Sequence, residues 1–284
     1  MKKTVSIIIL SFVWLLPVNA RKITVNILHT SDTHSRIEPI PASSKDKYAG
    51  RGGVARRAGI IQSERAKDKN TLVLDCGDFC QGTPYYNMFK GDVEIDMFNS
   101  MKYDAVAIGN HEFDFGLDNM ARIFKKLRCP VLCANYITTG TPLEDCVKPY
   151  IIIKRYGLRI GIFGIGAKLE GLVQSTKCEN IRFIDPAVAA QDMADLLRKE
   201  KKCDLVICMS HMGINNIILP NDNYLVANTS GIDLVLGGHS HTYLKELTYL
   251  KNKEGKATPV LHTGKSGVYV GKVQLTVEKE RIRK

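Results

Sequence analysis

Six of the seven histidines in this chain lie in or beside short polar clusters that close apolar, β-branched runs. The clusters are Asp32-Thr33-His34, Gly77-Asp78, Asn110-His111, Ser210-His211 and Gly237-Gly238-His239-Ser240-His241, and the seventh histidine, His262, ends another such run. Runs of this kind, at 23–29, 71–76, 105–109, 131–135, 159–165, 205–209, 234–237, 260–263 and 269–277, read as strands. Residues 54–67, 116–127 and 186–201 carry apolar side chains at three- and four-residue spacing and read as helices. Strands alternating with helices place the chain in the α/β class. Ligands of open α/β sheets sit at the carboxyl ends of the strands, so the five clusters are expected to converge.

The residue types then select a chemistry. His, Asp and Asn without a thiolate suit a borderline or hard divalent ion such as Zn, Mn, Fe or Co. One ion takes about four ligands. Asp32, His34, Asp78, Asn110, His211, His239 and His241 are enough for two ions that share a carboxylate, an arrangement suited to hydrolysis at phosphorus.

Asp-x-His, Gly-Asp, Gly-Asn-His-Glu, His and Gly-His-x-His, in that order, resemble the calcineurin-type metallophosphoesterase superfamily. The strings ILHTSDTHSRIEP, LDCGDFCQGTP and YDAVAIGNHEFDFG are similar to its secreted 5'-nucleotidase branch, which includes UDP-sugar hydrolases and cyclic-nucleotide phosphodiesterases. The resemblance runs over about residues 23–277. It implies a four-layer α/β/β/α sandwich of two mixed sheets. It implies that Asp32, His34, Asp78 and His241 hold one metal, and that Asp78, Asn110, His211 and His239 hold the second, with Asp78 bridging. It implies that His111 is no ligand but lies over the phosphate; Asp114, three residues on, is then placed to fix its tautomer and keep it cationic. The expected activity is hydrolysis of nucleotide phosphomonoesters. A phosphodiesterase or pyrophosphatase acting on cyclic nucleotides or nucleotide sugars, and a metal-binding subunit without turnover, are the alternatives.

Other motifs read more plainly. Gly264-Lys265-Ser266 lacks the upstream glycine of a P-loop, and Gly161, Gly164 and Gly166 miss the dinucleotide fingerprint at Leu169. His29 and His262 read as strand-end hydrogen-bonding residues, and Glu112 as a structural partner in its loop. The Gly52-Gly53 pair resembles the family's opening of its first helix and reads as a cap, with Arg56 a weak site candidate.

Residues 1–20 begin with Lys2 and Lys3, continue as an apolar run over 5–18 and end Val18-Asn19-Ala20, the pattern of a secretory signal peptide cleaved after Ala20. The catalytic domain is then residues 21–284, periplasmic or secreted, and no stretch is long enough for a membrane span. Eight cysteines in an exported chain permit disulfides, yet Cys76, Cys133 and Cys208 sit in strand-like runs, so most are expected as unpaired core thiols. The net charge of +11 attracts anionic substrates, but no basic run is interleaved with aromatics and no stable nucleic-acid complex is expected. The nucleotidases that this chain resembles carry a second, C-terminal domain that holds base and phosphate; the resemblance implies either a broad, shallow phosphatase or a separate exported polypeptide that supplies that domain in trans.

Overall fold

The computed structural model describes residues 21–215 and 219–279. The proposed leader, residues 1–20, and the end of the charged tail lie outside them.

Two six-stranded sheets form the centre. The first contains β1 (Arg21–Thr30), β2 (Leu72–Asp75), β3 (Ala105–Ala107), β4 (Val131–Leu132), β6 (Val147–Lys148) and β14 (Gly271–Lys279), in the order β14-β1-β2-β3-β4-β6. The second contains β7 (Tyr150–Arg155), β8 (Leu158–Gly166), β10 (Leu205–His211), β11 (Leu234–Gly237), β12 (Thr248–Lys251) and β13 (Ala257–His262), in the order β12-β13-β11-β10-β8-β7. Both are mixed: β14 runs antiparallel to β1, β12 to β13 and β7 to β8, while the other pairs are parallel. A small antiparallel ribbon joins β5 (Tyr136–Ile137) to β9 (Arg182–Phe183).

Buried apolar residues of both sheets meet in one cluster, with Ile27, Leu74 and Ala107 from the first against Ile162, Ile207 and Leu236 from the second. Sheet faces turned away from this layer pack under helices. α1 (Val54–Lys67), α2 (Pro84–Phe89), α3 (Asp92–Met101) and α4 (Gly116–Phe124) cover the first sheet, with Ile61, Tyr86, Phe98 and Met120 fully buried. α5 (Pro186–Asp195) and α6 (Asp222–Ala227) cover the second, where Ala190, Leu225 and Val235 pack. The four layers of the expected sandwich are present, and burial on both faces explains why the central parallel strands read as nearly continuous apolar runs.

Some boundaries differ from the sequence reading. The run at 131–135 pairs only over Val131–Leu132, because Asn135 turns inward and bonds Gly166 through both its amide nitrogen and oxygen. The helix expected over 186–201 is α-helical to Asp195 and closes with a π turn over Leu196–Glu200. All eight cysteines are unpaired, and five of them are buried. Among the described residues, no helix is long and apolar enough to cross a membrane.

Candidate metal centre

The loops that follow β1, β2, β3, β10 and β11 converge at one end of the facing sheets, with their polar clusters on the inside. Asp32 N donates to Gly77 O at 2.9 Å, His34 N to Asp78 O at 3.0 Å, His239 N to Asp32 Oδ1 at 2.9 Å and His111 N to Asp78 Oδ1 at 2.8 Å. The loops thus hold one another through their backbones. Five of the seven candidate ligands have left-handed backbone: Asp32 (φ 50°), His34 (46°), Asp78 (54°), His239 (77°) and His241 (54°). Each such non-glycine residue costs about 1–3 kcal/mol, a load that concentrates where function requires it. The turns leave no space for side chains at two neighbours. A Cβ on Gly77 would lie 2.5 Å from Gly109 N, and one on Gly109 would lie 2.2 Å from Asp78 Oδ1.

Three groups bring donor atoms within 4.8 Å of one another: Asp32 with His34 and His241, His34 with Asp78 and His111, and Asp78 with His211 and His239. His34 Nε2 is 2.8 Å from His241 Nε2, and His241 Nε2 is 3.7 Å from Asp32 Oδ1. Two ligands on bonds of about 2.0–2.1 Å to a tetrahedral ion stand about 3.4 Å apart, so these separations fit a shared cation. On the other side His211 Nε2 is 3.1 Å from Asp78 Oδ2 but out of line for a hydrogen bond. Its other nitrogen is occupied, because Nδ1 lies 2.6 Å from Cys76 O. Asn110 Oδ1 and His34 Nδ1 are buried without hydrogen-bond partners. An unpartnered amide oxygen and an imidazole nitrogen facing a carboxylate out of line are what a cation would satisfy, so the residues present fit divalent metal.

The protonation tendencies agree with that fit. Burial lowers His34 and His239 to about 4, and burial with the charge of Lys265 lowers His241, so these imidazoles offer lone pairs. Burial works against ionising Asp78, yet the His211 charge holds it below the usual carboxylate range. Burial likewise opposes charging His211, but Asp78 outweighs it and raises the imidazole to about 10. The opposite shifts of these two groups show how strongly the buried Asp78 carboxylate favours a positive charge beside it.

At the mouth stands His111, a third exposed, with Nδ1 3.1 Å from Asp114 Oδ2 across a single 3₁₀ turn. The hydrogen bond that His111 donates to the Asp114 carboxylate raises the His111 pKa above its ordinary value. Geometry alone also permits His111 as a ligand with His34 and Asp78, whereas the bond to Asp114 and the position at the opening suit a group facing substrate.

Behind the loops Glu112 is fully buried and accepts from Gly109 N (2.7 Å), Asp78 N (3.0 Å) and Cys80 N (3.1 Å). Its position directly after Asn110-His111 was the only sequence signal for this clamp. His262 is hydrogen-bonded as expected, to Asp222 at 2.7 Å. His29 differs: both ring nitrogens are buried without partners, and burial lowers it to about 3. Arg56 does not face the centre, since its guanidinium bonds Gly50 O and Gly52 O. The Lys265 loop is no phosphate cradle of the P-loop kind, but it leans on the centre through Ser266 N to Asp32 O at 2.7 Å.

The sequence pattern of calcineurin-like phosphoesterases matches residues 25–243, and the chain belongs to that family. Within it, the chain is 33% identical over 276 residues to a snake venom 5'-nucleotidase of Naja atra, covering 89% of this chain and 50% of that protein. It is also 33% identical over 272 residues to the human 5'-nucleotidase, covering 88% of this chain and 46% of that one. The crystal structure of a 5'-nucleotidase precursor from Thermus thermophilus superposes with a TM-score of 0.80 at 31% identity, over 88% of this chain and 51% of that one. The chain spans about half the length of the curated relatives that it matches.

Proposed function

We propose that this chain is an exported phosphoric ester hydrolase that works with two divalent ions, of the Zn, Mn, Co or Fe type, and acts on nucleotide monoesters. The observation that carries the proposal is the convergence of Asp32, His34, Asp78, His111, His211, His239 and His241 into three donor groups, each within 4.8 Å and linked to the next through His34 or Asp78. Asp32, His34, Asp78 and His241 would hold one ion, and Asp78, Asn110, His211 and His239 the other. When bound, such a pair polarises a phosphoryl oxygen and makes water acidic enough to attack at neutral pH.

The chain's own residues do the rest. Asp78 would be shared by the two ions and Asn110 would add a neutral oxygen, a donor set that would leave excess positive charge for an anionic ester. His111, whose Nδ1 pairs with Asp114 and whose pKa that bond raises, stands beside His34 and Asp78, where its imidazolium would hydrogen-bond the phosphoryl group and donate a proton to the departing oxygen. Asp114 stabilises the imidazolium and holds the ring in place. Glu112 fixes the backbone from which Asp78 projects.

The leader pattern of residues 1–20 supports export. The mass of the secreted protein tests it: a mature chain starting at Arg21 supports cleavage after Ala20. Assays with AMP, p-nitrophenyl phosphate and bis-p-nitrophenyl phosphate test the central reading. Monoester hydrolysis supports it, preference for the diester shifts it to the phosphodiesterase reading, and no turnover of any ester leaves only a metal-binding subunit.

A further inference from the structure

Beneath the ligands of the second sheet lies a buried polar network with no place in the chemistry described above. Asp222, the first residue of α6, is fully buried; its Oδ1 accepts from Ser210 Oγ at 2.5 Å and its Oδ2 lies 2.7 Å from His262 Nε2. His262 is equally buried, and its Nδ1 has no partner. A buried imidazole avoids an unpaired N–H by placing its proton on Nε2, so His262 donates and Asp222 accepts.

Each member touches a chain segment that leads directly to a candidate ligand. Ser210 precedes His211, and its carbonyl accepts from Gly238 N at 3.0 Å, which joins the end of β10 to the residue before His239. The end of β11 rests on the pair itself. A Cβ on Gly237 would lie 2.1 Å from His262 Nε2 and 2.5 Å from Asp222 Oδ2, so only glycine lets that backbone settle there. A Cβ on Gly238 would in turn lie 3.0 Å from His211 Nδ1. Asp222 N donates to Gly213 O at 2.8 Å, which holds the segment leaving His211.

A buried carboxylate with its partners rarely stabilises a fold better than well-packed apolar residues of the same volume. Its distinctive property is direction, since hydrogen bonds fix where three strand ends stand relative to one another. We infer that Asp222 and His262 are positioning residues for the ion held by His211 and His239, setting those two imidazoles at the separation the ion needs. Metal sites lose about 10- to 100-fold in affinity when such supporting partners are removed. The inference rests on the two-ion reading, but concerns one half of it. Of the first ion's proposed ligands, Asp32, His34 and Asp78 project from the first sheet, and only His241 shares the loop after β11, two residues beyond His239.

The test is calorimetric titration of the chelator-treated chain with Co(II). Two backgrounds separate the ions: His34→Ala weakens the first site and His239→Ala the second. Asp222→Asn is expected to weaken the ion remaining in His34→Ala by tenfold or more and to change the ion remaining in His239→Ala by less than threefold. His262→Gln, which keeps an N–H donor toward Asp222, should hold near-normal affinity, whereas His262→Leu should lose it as Asp222→Asn does. His262→Leu also serves in both backgrounds should Asp222→Asn not fold. Equal losses at both sites would mean a general structural role, and unchanged affinity at both would mean none; either overturns the inference. Parent protein that takes up no Co(II) overturns the two-ion reading itself, and the two failures are thereby distinguished.

Discussion

A single methyl group at Gly109 is the sharpest test of how tightly the backbone holds the Asp78 carboxylate. The Cβ of Gly109→Ala would stand 2.2 Å from Asp78 Oδ1 and 2.5 Å from Asp78 N, where ordinary contact begins at 3.4 Å. The two segments must therefore part by about 1 Å. Neither is free to move, because Gly109 N and Asp78 N both bond Glu112 Oε2, at 2.7 and 3.0 Å, and Asp78 Oδ1 accepts from His111 N at 2.8 Å. Overpacking of this kind costs about 1–3 kcal/mol, which lowers Tm by roughly 2–12 °C in a domain of this size. The catalytic cost is larger, because misplacement by about 1 Å lowers rate by about 100-fold. Thermal melts and AMP hydrolysis measure both. A control comes from Gly59 in α1, where an added Cβ meets nothing within 4 Å; Gly59→Ala should gain about 0.5–1 kcal/mol with unchanged turnover. Gly109→Ala with kcat within threefold of the parent would refute the close-approach argument.

Further outcomes follow from the same geometry. His111→Ala should lower kcat by roughly two to four decades while metal content by mass spectrometry stays at the parent value; loss of metal would instead make His111 a ligand. Asp114 raises the His111 pKa, so the protonated, active imidazole persists to higher pH. Asp114→Asn should therefore move the alkaline limb of the kcat/KM profile to lower pH, and a limb that stays in place would remove Asp114 from the dyad. Glu112→Gln puts an amide N–H against backbone donors in a buried site and should cost about 2–3 kcal/mol. A denaturant midpoint unchanged from the parent would show that its three bonds do not hold the loops.

Much of this was legible because two periodicities and one spacing rule were enough. Apolar runs mark the parallel strands, and the clusters at their carboxyl ends contain the candidate ligands Asp32, His34, Asp78, Asn110, His211, His239 and His241. What did not show in the sequence depends on distant contacts. β12 is a half-buried edge strand paired antiparallel, and its mixed composition carries no continuous apolar signal, whereas β7, the other antiparallel edge, opens with the apolar run Tyr150–Ile153 that the strand reading passed over. α2 and α6 have six residues each and α3 ten, too short for periodicity to stand out. Asp222 lies 40 residues from His262, and nothing local marks an aspartate at the start of a short helix as buried support for a site. The left-handed backbone at five ligand positions is equally invisible in residue identities that elsewhere occupy ordinary turns.

The central claim is that two ions around Asp78 make this chain a phosphoesterase. Its most direct test is AMP hydrolysis by the chelator-treated protein, followed as Mn(II) or Zn(II) is added in known molar equivalents. Turnover should be absent at the start, rise as the centre fills and level off at two equivalents per chain. Full activity in the metal-free protein, or saturation at one equivalent, would contradict it.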